Sequence, residues 1–307
     1  MKAVFMERHG DPWVLKYGDL PDPIPGPGEV VVDIHAASVN GADWKVRSGV
    51  TASITDFPHI LGRDFSGIVS QLGAGVGDFQ VGDAVFAVCD VGEEGAYAEK
   101  ISIKADLVAK KPADISHVDA AALALAGLTA LVSVEDTLEL QSGETILIQG
   151  GAGGVASFAI QLAKHIGARV ITTTSAGNRA YVRSLGADEI IDYNEQDFSE
   201  VVSDCDAVLD TVGGDVAHRC FAVLKPGGRA AFHASGMTAP QPDRDDVRSL
   251  RPNVARDRRH LARIVALIEA GAVRAPEITL YPLSEAIAAH RVSESRHLRG
   301  KLVFEVR

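Results

Sequence analysis

The run Gln149-Gly-Gly-Ala-Gly-Gly-Val-Ala156 could do chemistry with its backbone alone. Within it Gly151, Gly153 and Ala156 fit the pattern G-x-G-x-x-[GA]. Glycines there allow a tight turn, and the amides of Gly151, Gly153, Gly154 and Val155 can close on a pyrophosphate at the positive end of a following helix. Alone, such a pattern is often only a glycine-rich turn, and its weight comes from its flanks. Thr145-Ile-Leu-Ile148 before it reads as a buried strand. After it, Val155, Ala159, Leu162 and Ile166 share one helical face, and Gly167 ends that helix. Arg169-Val-Ile-Thr172 supplies the next strand, so the order strand, loop, helix, strand points to a bound dinucleotide.

A site selective for NAD places an Asp or Glu at the end of the second strand, about 20 residues past the glycines, to hold the ribose 2′-hydroxyl. This chain has Thr172-Thr-Thr-Ser175 there. With no carboxylate to repel a 2′-phosphate, with hydroxyls at Thr174 and Ser175, and with Arg179 downstream as a charged fork, the site reads as one for NADPH. The bland alternative is that Arg179 only decorates a helix start.

These residues need elements to position them. From about Ala113 apolar runs alternate with helical patterns, the mark of βαβ units and a parallel sheet, with further strands at Glu189-Ile-Ile191, Ala207-Val-Leu209 and Arg229-Ala-Ala-Phe232. Leu261, Ile264, Val265 and Ile268 form one face of a last helix, which stops at Gly271. The first hundred residues are strand-rich instead. Val30, Val32 and Ile34 alternate with Val31 and Asp33, and turns such as Pro21-Asp-Pro-Ile-Pro-Gly-Pro-Gly28 suggest a small barrel. Lys301-Leu-Val-Phe-Glu-Val306 is a closing strand able to pair with that N-terminal half. Ala120–Val134 reads as a buried helix, shorter than the roughly 20 apolar residues of a membrane span, with Ser116 and Asp119 as its capping box.

The chain's 307 residues are roughly two domains' worth, and 46% of them are hydrophobic, enough for a sizeable core. Asp and Glu number 41 against 30 Lys and Arg, and the resulting charge of −11 disfavours nucleic acid and anionic membrane surfaces. Arg244, Arg248, Arg251, Arg256, Arg258, Arg259 and Arg263 are interleaved with acids and lack aromatics to stack bases, so they read as a solvated face with a subunit contact. Met1–Gly10 has no signal-peptide pattern. Cys89, Cys205 and Cys220 are too few for a disulfide framework and read as small core hydrophobes in a reducing, cytoplasmic setting.

Across nearly its whole length the chain resembles the medium-chain dehydrogenase/reductase superfamily, in its zinc-free quinone oxidoreductase and enone reductase branch. The resemblance rests on Ala37-Ser-Val-Asn-Gly-Ala-Asp-Trp-Lys-Val-Arg-Ser-Gly49, Leu61-Gly-Arg-Asp-Phe-Ser-Gly67, Gly95-Ala-Tyr-Ala-Glu-Lys100, Ala126-Gly-Leu-Thr-Ala130, the glycine loop, Ser184-Leu-Gly-Ala-Asp188 and His297-Leu-Arg-Gly-Lys301. It implies an α/β protein: a GroES-like β-barrel catalytic domain from residues 1–113 and 272–307, and a Rossmann doubly wound parallel sheet at 114–271. It also implies a homodimer and a cleft where nicotinamide meets substrate.

Zinc-dependent members of the family hold their metal through a Cys in the first motif and a His in the second. Here Asn40 and Arg63 stand at those positions, and neither is an ordinary zinc ligand, so no metal is expected. Without a Lewis acid, alcohol dehydrogenation recedes. Quinones and α,β-unsaturated carbonyls remain, because they spread the incoming charge over a conjugated oxygen that one or two donors can stabilise.

By resemblance Asn40 and Lys45 lie beside nicotinamide and substrate, Thr129 sets a hydroxyl against the nicotinamide, and Tyr193 lies over the 2′-phosphoadenosine. Ser235, Gly236 and Lys301 border the cofactor. The bland readings are a loop cap for Asn40, a surface lysine for Lys45, a helix residue bonding back one turn for Thr129, a strand-end aromatic for Tyr193 and an edge charge for Lys301. The tyrosine that many quinone reductases carry after the Arg-Ser-Gly element is missing from Val50-Thr-Ala-Ser-Ile-Thr55. Two other functions stay open: a catalytically idle NADPH-binding protein and an enoyl-thioester reductase.

Overall fold

Six parallel strands run in the order Glu189–Asp192, Arg169–Thr174, Thr145–Ile148, Cys205–Asp210, Leu224–Phe232 and Arg248–Leu250. In chain order this is 3-2-1-4-5-6, the doubly wound arrangement whose direction of winding reverses beside the first strand. Buried on both faces, such strands lose the alternation of a half-exposed sheet, and Val170 through Thr174 are all buried accordingly. The computed structural model describes residues 1–51, 54–90, 92–93, 95–234 and 238–307. Ser235 and Gly236, expected at the cofactor, lie outside the described residues.

The sixth strand falls within the arginine-rich segment that composition reads as a solvated face. Arg248–Leu250 pairs with Leu224–Phe232, and Arg251 donates to the carbonyls of Phe232 and His233. Farther on, Arg258 binds the carbonyls of Val108 and Ala105 and the Asp78 carboxylate. A guanidinium carries five donors in a rigid fork, so here several arginines hold backbone in place.

The chain divides into two compact units, 1–125 with 256–269 and 275–307, and 126–255 with 270–274. The helix Arg258–Glu269 therefore belongs to the first unit and not to the parallel sheet that precedes it in sequence, and the contacts of Arg258 give the reason. Its apolar stripe buries Leu261, Ile264 and Leu267.

In the first unit the small barrel takes the form of two sheets. Lys2–Met6 lies between Leu15–Asp19 and His59–Ile60 in one. In the other, the long strand Glu29–Val39 pairs along one side with Asp64–Leu72 and along the other with Lys100–Lys104 and then Lys301–Glu305. The C-terminal strand thus does pair with the N-terminal half. Val31 is buried together with Val30 and Val32, so the strand is covered on both faces. Ala121 and Ala122 of the helix His117–Leu131 supply part of that cover by meeting Ala36 and Val303.

That helix starts as expected, with the Ser116 hydroxyl accepting the Asp119 amide at 3.0 Å. It runs farther than expected, because Val132–Thr137 continues it as a π-helix past Glu135 and Asp136. The resulting 21 residues are long and apolar enough to cross a membrane by length and composition, but most are buried inside the protein, as in a core helix. Cys89, Cys205 and Cys220 form no disulfide among the described residues and are buried, packed as small core residues.

Candidate active site

The glycine loop joins the strand Thr145–Ile148 to the helix Gly154–Ile166. Gly150 adopts φ +71°, the left-handed region that favours glycine. A Cβ on Gly151 would stand 2.2 Å from Thr172 Oγ1, so the backbone passes the neighbouring strand as closely as an atom allows. Threonines of that strand hold the loop from outside. The Gly151 amide donates to the Thr173 carbonyl at 2.9 Å and the Gly150 amide to Thr173 Oγ1 at 3.1 Å, while Thr172 Oγ1 donates to the Ile148 carbonyl at 2.6 Å.

This bonding changes which amides are open. Those of Gly151 and Gly153, expected on a pyrophosphate, are spent on Thr173 and Gly150. The amides of Gly154 and Val155, in the first helical turn, have no partner among the described residues and are partly exposed. The cradle therefore offers the helix's positive end, with the glycines shaping it.

At the carboxyl ends of Arg169–Thr174 and Glu189–Asp192 the structure gathers Thr174, Ser175, Arg179 and Tyr193. Thr174 pairs in register with Asp192, and the Tyr193 amide donates to its carbonyl at 3.3 Å. Thr174 is 2% exposed, buried at the end of its strand. Ser175 accepts a bond from Asn178 Nδ2 at 3.2 Å. Arg179 opens a short helix, is exposed, and lies 3.7 Å from the Glu195 carboxylate. Tyr193 is exposed beside them. Thr129 is buried within its helix, and it is Ser133 that bonds back one turn, to the Thr129 carbonyl at 2.7 Å.

In the first unit a buried polar cluster sits where Glu29–Val39 gives way to the helix Gly41–Arg47. Lys301 Nζ donates to Asn40 Oδ1 at 2.7 Å and to the Val39 carbonyl at 3.0 Å. Asn40 Nδ2 donates to Asp64 Oδ1 at 2.7 Å, as does the Ser38 hydroxyl at 2.7 Å. The other Asp64 oxygen accepts the Leu125 amide at 2.9 Å. The main use of the Asn40 amide is thus to be held between Asp64 and Lys301, and Lys301 acts on Asn40 from a buried position. Burial lowers the Lys301 pKa, and the nearby Asp64 and Asp43 pull against it.

Asp43 lies next to this cluster, fully buried. Its Oδ2 accepts the Asn40 amide at 2.8 Å and the Tyr97 hydroxyl at 2.7 Å, and Arg63 Nε is 3.8 Å from its Oδ1. Burial pushes the Asp43 carboxyl up to about 6 against the pull of Arg63 and Tyr97. Lys45 is half-buried on the same helix, its ammonium 5.7 Å from the Trp44 ring centroid.

Ser38, Asp43, Asp64 and Tyr97 went unassigned in the sequence, although all four lie inside quoted motifs and Asp64 opens a largely buried strand. An acid in that setting is a signal, since a buried carboxylate must find partners.

The zinc that the zinc-dependent members of the resembled family hold at these two positions does not fit the donor set here. Asn40 Oδ1 faces the Lys301 ammonium, and Arg63 brings a guanidinium with no lone pair to give.

Two family models match the chain: the alcohol dehydrogenase GroES-like domain over residues 26–113 and the zinc-binding dehydrogenase over residues 185–304. The NADPH-dependent alkenal/one oxidoreductase of Arabidopsis thaliana chloroplasts is 32% identical over 99% of this chain and 79% of its own length. The solved quinone oxidoreductase of Coxiella burnetii is 36% identical, with a TM-score of 0.93 over 100% of this chain and 99% of its own. The Escherichia coli quinone oxidoreductase solved with NADPH matches at 29% identity and a TM-score of 0.91 over 100% of both chains. With both domain models in place and such relatives aligned end to end, the chain belongs to the medium-chain dehydrogenase/reductase superfamily, among its quinone oxidoreductases and enone reductases.

Proposed function

We propose that the protein is a zinc-independent, NADPH-dependent reductase of quinones or α,β-unsaturated carbonyls. The observation that carries this reading is the cluster around Asn40. Where metal-dependent relatives place thiolate and imidazole ligands, this chain sets an amide locked by Asp64 and Lys301 beside an arginine. An acceptor at such a site must take hydride without a Lewis acid, and conjugated carbonyls can.

NADPH supplies the hydride. The open amides of Gly154 and Val155 receive its pyrophosphate, and Ser175, Arg179 and Tyr193 receive the 2′-phosphate end. Lys301 and Asp64 fix the Asn40 amide, so that its orientation costs nothing when substrate arrives.

The test measures oxidation of NADPH and of NADH by metal-stripped protein, with an ortho-quinone and a medium-chain 2-alkenal as acceptors. Turnover with NADPH in the absence of metal is expected, and a strict metal requirement overturns the reading. Arg179→Glu should raise KM for NADPH far more than for NADH. Glu195→Gln should lower KM for NADPH, because it frees the guanidinium of its neighbour. Equal losses for both cofactors in Arg179→Glu remove the 2′-phosphate assignment. Tight NADPH binding without turnover of either acceptor favours an idle binder.

A further inference from the structure

Trp44 carries two cations. The Lys45 ammonium lies 5.7 Å and the Arg296 guanidinium 5.5 Å from its ring centroid. The contact is local to the Asn40 cluster: Trp44 lies four residues past Asn40, Arg296 five before Lys301, and Lys301 bonds Asn40. The segments that fix the Asn40 amide therefore also bring these cations together.

Like Arg291, which lies 5.5 Å from the Trp13 ring centroid, Arg296 rests on an indole, and it differs from two other arginines near it. Arg47 is paired with Glu294 and Arg299 with Glu277. Arg296 is exposed and has no carboxylate within ion-pair reach among the described residues, in a chain where acids outnumber bases by 11. Its backbone also stands at φ +59°, a left-handed conformation that a side-chain-bearing residue adopts rarely and at a cost. The position is the one just past the C-cap Ser295 of the helix Ala286–Glu294, where a left-handed residue commonly ends a helix. An indole face holds a guanidinium in place without neutralising it, so the fork stays available to an anion.

We infer that the acceptor reduced at this site carries an anionic group, carboxylate or phosphate, which Arg296 and Lys45 grip over Trp44. The inference rests on the reductase reading above and narrows its substrate class. An acceptor held by its charged end enters with its conjugated bond in a fixed direction, whereas a neutral enone lacks that handle.

The experiment compares acceptors that differ mainly in charge. One pair is 3-acetylacrylate and its methyl ester; the other, crotonyl-CoA and crotonyl-pantetheine, carries the charge as phosphate. The readout is the ratio of kcat/KM, charged over neutral, in the wild type, Arg296→Gly and Arg296→Lys. Glycine accepts the left-handed backbone, so Arg296→Gly removes the charge and relieves the strain. The expected result is a wild-type preference for the charged member of at least one pair, falling about 10- to 100-fold in Arg296→Gly, as the loss of a charge-assisted contact dictates. Arg296→Lys should keep part of it. The pair that responds assigns the handle to carboxylate or to phosphate. Equal ratios in the wild type and Arg296→Gly overturn the inference, even if all four acceptors turn over. If none is reduced, and no neutral quinone either, the reductase reading has failed instead. Calorimetric binding of the same pairs to the NADP⁺-loaded protein then decides the inference without turnover, and it is overturned if the charged members bind no more tightly.

Discussion

Asp64 shows how one buried carboxylate can set the geometry of the residues bonded to it. Its two oxygens take three donors, the Ser38 hydroxyl, the Asn40 amide and the Leu125 backbone. Leu125 lies inside the helix His117–Leu131, so the carboxylate ties that helix to the turn carrying Asn40. Removing it strands one buried and two partly buried donors, each expensive to leave unmade. Asp64→Ala should therefore cost about 3–5 kcal/mol in urea unfolding, with a larger loss in kcat than in KM because Asn40 loses its orientation. A cost below about 1 kcal/mol would mean that the donors find other acceptors and that Asp64 is not the anchor.

At the level of elements, the glycine loop works because two neighbouring segments approach closely. Gly151→Ala would put a methyl 2.2 Å from Thr172 Oγ1, 3.1 Å from its Cγ2 and 3.2 Å from its Cβ. Overpacking of that kind costs about 1–3 kcal/mol. In a Thr172→Ala background only the Cβ contact remains, so the same Gly151→Ala change should cost less than about 1 kcal/mol there, with part of the NADPH affinity restored. A double-mutant cycle by chemical denaturation, with calorimetric titration of NADPH, reads both. Independent, additive effects would show that the loop yields by another route. The same scale explains Arg248–Leu250, whose one arginine, one serine and one leucine carry no strand signal. Parallel pairing to Leu224–Phe232 and the Arg251 bonds to two carbonyls make it one.

Over the whole molecule, buried titratable groups in the first unit set the response to pH. His117 is stacked on His35 at 4.5 Å between ring centroids, and burial, with His35 and Lys111 nearby, pushes it from 6.5 down to about 4. His290, packed against Arg47, is pushed by burial to about 3. Both are neutral in the fold and take a proton more readily when unfolded. The unfolded chain therefore binds more protons below about pH 6.5, and stability falls as pH drops toward the folded values. Asp43 works in the opposite sense. Its raised carboxyl keeps a proton in the fold between 3.8 and about 6 that the unfolded chain has lost, so its contribution grows as pH falls through that window. With two histidines against one aspartate, Tm should fall between pH 6.5 and pH 4.5. His117→Gln should flatten that slope and Asp43→Asn should steepen it. Thermal melts of the three proteins check this, and parallel slopes would show that these groups do not govern acid stability.

By itself the sequence determined what local pattern can carry: the glycine loop between a strand and a helix, the carboxylate-free end of the second parallel strand, the capping serine at Ser116, and the change from strand-rich to alternating texture. These follow from backbone freedom, residue periodicity and nearest neighbours, which a linear string records. Only the tertiary structure decided that Thr174 is covered on both faces, that the Gly151 and Gly153 amides are spent inside the loop, and that the helix Arg258–Glu269 belongs with the first unit. It alone turned Asn40, Asp64 and Lys301 into one hydrogen-bonded group, joining residues 24 and 261 positions from Asn40. A buried charge takes whichever partner the fold brings near, and no spacing in the chain encodes that partner when the strands carrying the two lie at opposite ends of the sequence.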